Sequence, residues 1–144
     1  HLHDAAGMTR QGEENMLRRD YDPATVPPDG RAAAKGSVFN PDIAGPWRGS
    51  LSGTAIGGAV TVLVYGSDTP GEGPRLHVHP YDETFVVLSG RARFFVGTEV
   101  IEAAAGEAVL GPAGVPHRFE NLGPGRLQTI DIHHSPRWIQ TDLA

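Results

Sequence analysis

The spacing of hydrophobic and polar residues changes character near residue 50. From Met8 to about Trp47 the chain is rich in charge, proline and glycine, as in Asp20-Tyr21-Asp22-Pro23 and Val26-Pro27-Pro28-Asp29-Gly30. That stretch follows neither a 3.6-residue nor a two-residue period, so residues 1–48 read as an irregular arm with room for one short strand. Beyond Ser50, short runs of Val, Ile, Phe and Thr alternate with turns. They predict strands at Ala59–Tyr65, Thr84–Leu88, Ala92–Val96, Val100–Glu102, Ala108–Leu110, Arg118–Glu120 and Leu127–His133. Glycines at 90, 97, 106, 114 and 123 mark the turns. Short strands at such even spacing predict an all-β sandwich or barrel over residues 49–136, followed by a tail, 137–144.

Composition narrows the function. A chain of 144 residues, 39% of them hydrophobic, can bury one core. It has no cysteine, which excludes disulfides, thiolate metal sites and cysteine nucleophiles and leaves the cytoplasm as the default compartment. The net charge is −5, Lys35 is the only lysine, and apart from Arg18-Arg19 the arginines are dispersed, so no basic stripe is present to track nucleic acid. No apolar run has the length of a membrane span, and the polar, acidic start does not resemble a secretory leader. Residues 1–7 read as a cloning remnant, with Met8 or Met16 as a natural start. His1 and His3 therefore carry no weight as ligands despite their His-x-His spacing.

The candidate chemistry lies in two segments. In Leu76-His77-Val78-His79-Pro80-Tyr81-Asp82-Glu83, strand alternation puts His77 and His79 on one face. Pro80 ends the pairing, and Glu83 opens the next strand within reach of both imidazoles. Taken alone, two same-face histidines are as readily a solvated or hydrogen-bonded pair. The second segment, Pro112-Ala113-Gly114-Val115-Pro116-His117, launches another imidazole from a fixed turn. Three neutral imidazoles and one carboxylate suit one divalent ion (zinc, iron, manganese, nickel or copper) and leave positions open for water or substrate.

These segments resemble the two motifs of the cupin family. The first runs Gly71, five residues, His77-x-His79, three residues, Glu83, six residues, Gly90. The second runs Gly106, five residues, Pro112-x-Gly114, two residues, His117, three residues, Asn121, and fifteen residues separate the two. The resemblance covers about Ala59 to Ile132. It implies a small antiparallel β-barrel or jelly roll with a metal ion inside it, and the family's ligands fall on His77, His79, Glu83 and His117. It also implies a homodimer in which edge or N-terminal strands cover one another.

Strand parity extends the reading to the surroundings of the site. Phe85 and Val87 share the face of Glu83, and Phe119 that of His117, which makes Phe85 and Phe119 candidate pocket walls, although ordinary core is the simpler expectation. Arg75 shares the parity of His77 and is the first candidate for a substrate carboxylate; Arg91, Arg93 and Arg118 follow it. Tyr81 and Asp82 fall in a turn expected to be exposed. Of His133 and His134, one must point inward. Tyr81, His133 and His134 are thus the candidate acid–base groups. Two functions follow from the resemblance: a metal-dependent enzyme on a small organic molecule, of dioxygenase, isomerase, decarboxylase or cyclase type, or a non-catalytic ligand-binding or sensor protein. The absence of any helix-turn-helix pattern favours the enzyme.

Overall fold

The computed structural model describes residues 17–39 and 47–144. The start of the chain, including His1, His3, Met8 and Met16, lies outside the described residues. The chain divides into two compact units, residues 1–32 and 33–144. In the described part of the first, the ordered feature is a single 3₁₀ turn, Pro23–Thr25, where the Asp22 carboxylate accepts the Ala24 N–H at 3.0 Å. No strand occurs in residues 17–39.

Among its described residues the second unit is built from ten strands: β1 (Gly49–Leu51), β2 (Thr61–Ser67), β3 (His77–Val78), β4 (Glu83–Ser89), β5 (Arg91–Val96), β6 (Glu99–Ala104), β7 (Ala108–Gly111), β8 (His117–Asn121), β9 (Leu127–His133) and β10 (Thr141–Asp142). They form two antiparallel five-stranded sheets, ordered β1-β2-β9-β4-β7 and β10-β3-β8-β5-β6. The seven runs expected from the sequence are all present as strands, most of them a residue or two longer. The other three are β3, the short strand read for the His-x-His pair, and the additions β1 and β10; β10 takes the expected tail into a sheet by pairing with β3. Among the described residues no helix is long and apolar enough to cross a membrane.

Strict alternation explains why these segments pack as they do. In β4, Glu83, Phe85 and Val87 are buried; in β8, His117, Phe119 and Asn121; in β9, Leu127, Thr129, Asp131 and His133. The inward residues meet between the two sheets, with apolar side chains at one end and polar ones at the other. Phe85, Phe94 and Phe119 form a triangle with centroids 5.0–5.7 Å apart, and Tyr65 stands edge-on to Phe119 at 5.1 Å. This aromatic floor touches the polar end through Phe85, 5.5 Å from the His117 ring.

Two family-motif residues show why their chemistry is needed. Gly90 turns β4 into β5 at φ +79°, and a Cβ there would run into the Arg126 carbonyl. Asn121 is buried at the end of β8 yet fully used: its amide donates to Ser67 O (3.2 Å) and Gly125 O (3.1 Å), and its oxygen accepts Gly123 N–H (2.8 Å).

Candidate functional site

The two sheets each contribute one side of the polar end. His77 of β3 lies directly opposite His117 of β8, and His79 comes one residue after the end of β3. Across the barrel, Glu83 of β4 lies opposite Gly111 of β7 on one side and His133 of β9 on the other. Gly111 leaves room there, since a Cβ would press on the Phe85 ring and approach His117 Nδ1. The structure thus brings His77, His79, Glu83 and His117 together: all four are buried, and one donor atom from each lies within 4.8 Å of all the others.

The backbone fixes the orientation of the three imidazoles. His77 Nδ1 donates to Arg75 O, His79 Nδ1 to Ile139 O at 2.7 Å and His117 Nδ1 to Val115 O at 3.1 Å. With the proton held on Nδ1 by a carbonyl, each ring turns the lone pair of Nε2 toward the centre. There they meet the Glu83 carboxylate: Oε1 is 3.0 Å from His117 Nε2 and 3.1 Å from His79 Nε2. His79 Nε2 has no hydrogen-bond partner at all. Three lone pairs and a carboxylate oxygen this close repel one another unless a cation sits among them, so the donor set fits a divalent metal with three neutral nitrogens and one oxygen. Burial lowers the His77 pKa, and the neighbouring His117 and His79 add to this, keeping His77 neutral and able to ligate. Burial opposes ionisation of Glu83, but the three imidazoles gathered against it, with His133 donating to Oε2, outweigh it and hold the carboxylate below its usual range.

His133 is held the other way round. Its Nδ1 lies 2.7 Å from the Tyr81 hydroxyl, which itself accepts Ile139 N–H at 3.0 Å. Tyr81 therefore donates to Nδ1, and His133 carries its proton on Nε2, 3.1 Å from Glu83 Oε2. A directed chain, Ile139 N–H to Tyr81 O–H to His133 to Glu83, ends on the carboxylate oxygen that His79 and His117 leave free. His133 is thus a donor to the cluster, not a fifth lone pair.

Tyr81, expected in an exposed turn, is half-buried in this chain, and burial raises its pKa. Asp82 does lie exposed, where its carboxylate accepts Ala113 N–H at 2.8 Å. His134 is exposed and pairs with the Thr84 hydroxyl at 2.8 Å, outside the cluster. Phe85 and Phe119 both line a cavity of about 240 Å³ that reaches His77, Glu83 and His133. Arg75 is exposed and does not line it, because β3 begins only at His77 and strand parity has no hold before that residue. Arg91 donates to Gly123 O, Arg93 pairs with Glu102, and Arg118 lies over the Phe95 ring, so these three serve the outer surface.

Several residues at the site had no motif to announce them. Arg48 lines the cavity with its guanidinium 4.0 Å above the Tyr65 ring and its Nε on Gly66 O at 2.7 Å. Trp138 and Gln140 line it from the tail, and Ile139 between them supplies two backbone contacts to the ligand residues and their partners. Asp131 could have been found, since it shares the inward parity of His133 on a strand whose limits were plain.

Fold and site together define a β-barrel protein with a His₃Glu cluster between its sheets. Residues 65–133 match the family model of the cupin domain. Over those residues the chain carries a cupin domain. Over 44 residues it is 46% identical to an uncharacterised protein of Streptomyces coelicolor; that stretch is 31% of this chain and 42% of the relative, less than half its length. Its fold is similar to that of an uncharacterised conserved Klebsiella pneumoniae protein with a double-stranded β-helix domain (TM-score 0.60, 24% identity, covering 73% of this chain and 84% of that one). Bacillus subtilis oxalate decarboxylase is similar too, at TM-score 0.60 and 22% identity, over 66% of this chain and 27% of the enzyme. One structure of that enzyme concerns its Mn(II) centers. At such identities the likeness carries the fold alone.

Proposed function

We propose that His77, His79, Glu83 and His117 hold one divalent metal ion and that the protein is a metal-dependent enzyme acting on a small organic molecule in the adjoining cavity. The observation that carries this reading is the orientation of the three imidazoles, whose Nδ1 atoms are all tied to backbone carbonyls while their Nε2 lone pairs converge on Glu83. When bound, such an ion supplies Lewis acidity toward a substrate oxygen, and redox chemistry as well if it is iron or manganese.

The chain's own residues supply the rest. Glu83 balances the ion's charge. Phe85 and Phe119 keep water from one side of the cavity and favour a ligand with an apolar body. His133, which lines the same cavity and holds a proton on Nε2, is in place to give that proton up while its Nδ1 takes the Tyr81 proton from behind. That built-in acid–base group favours an enzyme over a sensor. The cupin resemblance leaves isomerase, cyclase, dioxygenase and decarboxylase reactions in play, and a decarboxylase is the enzyme named for a structural neighbour. The protein is also proposed to work as a homodimer.

The test is an NMR screen of small oxo acids, ketones and diketones against protein loaded in turn with manganese, iron, zinc and nickel. Conversion of at least one compound by the wild type, lost in His133→Gln, supports the enzyme. Saturable binding with no conversion by any metal form would instead make it a binding protein.

A further inference from the structure

The inner face of β9 carries two neighbouring polar side chains, Thr129 and Asp131, that no other described residue satisfies. Asp131 is only 4% exposed, and its Oδ1 has no hydrogen-bond partner; Thr129, next inward on the same face, has an unpartnered hydroxyl. β9 is flanked on both sides, so Asp131 lies opposite Leu63 of β2 and Phe85 of β4, and neither neighbour offers it a polar atom. It nevertheless lines the same cavity as His77, Glu83 and His133. A buried carboxyl with an oxygen left unpartnered is a standing loss to folding. Burial first, and then the charge of Glu83, push its pKa well above the carboxylate range, so the group presents an O–H.

We propose that Asp131 is the second polar anchor of the pocket, a specificity-determining residue that hydrogen-bonds a carbonyl oxygen on the far side of the substrate from its metal-binding group. This rests on the metal reading above. Asp131 is two residues along β9 from His133, which lies opposite Glu83, so the two anchors are about 7 Å apart along the sheet. That span matches a short acid whose carboxylate meets the metal and whose ketone lies a few bonds further on, a γ-oxo acid, with the body between them against Phe85 and Phe119.

The experiment uses the full chain loaded with cobalt(II), whose visible absorption reports on ligands entering the metal site. The protein is titrated with 4-oxopentanoate and, separately, with pentanoate, which lacks only the ketone. The wild type is expected to bind the oxo acid about tenfold more tightly. Asp131→Asn, which keeps a donor, should retain that preference, whereas Asp131→Ala should bring the two affinities together. Equal affinities in the wild type, a comparison that needs no variant, would overturn the assignment, as would a preference that survives in Asp131→Ala. A protein that takes up no cobalt would show no absorption band; that outcome overturns the metal reading and this proposal with it, and is plainly distinct from a band that shows no preference.

Discussion

Asp131 and Tyr81 show opposite uses of a buried polar group. Asp131 keeps its proton when folded, because burial and the charge of Glu83 disfavour its anion. The unfolded chain releases that proton above its ordinary pKa of 3.8, so the stability Asp131 contributes is complete below that pH and fades as pH rises toward the folded value. Asp131→Asn cannot ionise. In urea melts of metal-free protein it should therefore gain on the wild type by about 1–3 kcal/mol between about pH 4 and 7, with the gap widening with pH. A gap that stays constant would mean the carboxyl is not held neutral. Tyr81 is the reverse case, since both roles of its hydroxyl are filled. Tyr81→Phe strands Ile139 N–H and His133 Nδ1 and should lower stability by about 1–3 kcal/mol, while metal affinity drops only about tenfold because every ligand remains. Isothermal titration beside the melts separates the two effects. At this scale the sequence was most readable where a residue's role depends on near neighbours. His77, His79 and Glu83 lie on or beside consecutive strands of the two facing sheets joined by a short turn, so alternation and the shortness of that turn together predict their approach. Arg75 and Arg48 show the limit. Parity applies only inside a strand, which excludes Arg75, and Arg48 reaches the cavity by way of a stretch with no period to read.

Among the elements, the C-terminal segment is the one whose role the sequence least announced. Residues 137–144 are short, mixed in polarity and free of motif, and read as a tail. In the structure β10 pairs with β3, Leu143 N–H bonds Leu76 O at 2.8 Å, and Ile139 O holds the Nδ1 proton of His79. Such a contact is decided by where the chain returns in space, and a two-residue strand carries no detectable alternation. Removing residues 137–144 should therefore weaken metal binding by about 10–100-fold, with the main sheets kept, as far-ultraviolet circular dichroism would show. Unchanged affinity would mean His79 needs no such support. β9, by contrast, was legible at both ends, Leu127 and His133, because seven residues of strict alternation lie between a glycine turn and a Ser-Pro pair. Gly90 is a further check on the β4–β5 turn: Gly90→Ala forces a side chain into a positive-φ turn and against the Arg126 carbonyl, and should destabilise by about 1–3 kcal/mol.

For the whole molecule, the motif pair sufficed to name the superfamily and the all-β architecture, since its glycines and prolines set the turns and its histidines set the inward face. The order of strands in the two sheets was not readable, because pairing between distant segments such as β2 and β9 depends on long-range closure, not on local pattern. Leu88, Val100, Ile101 and Leu110 remain exposed on β4, β6 and β7, with β6 and β7 at sheet edges. Apolar residues at open edges suit cover by a second copy. Sedimentation equilibrium is expected to give twice the chain mass, and a single-chain mass at high concentration would contradict the proposed dimer. The central claim, a metal held by His77, His79, Glu83 and His117, is tested most directly by elemental analysis of protein reconstituted with manganese, iron, zinc or nickel, beside a His77→Ala, His79→Ala variant. About one ion per wild-type chain, and none in the variant, is the result this account predicts. Wild-type protein that retains none of these ions would contradict it.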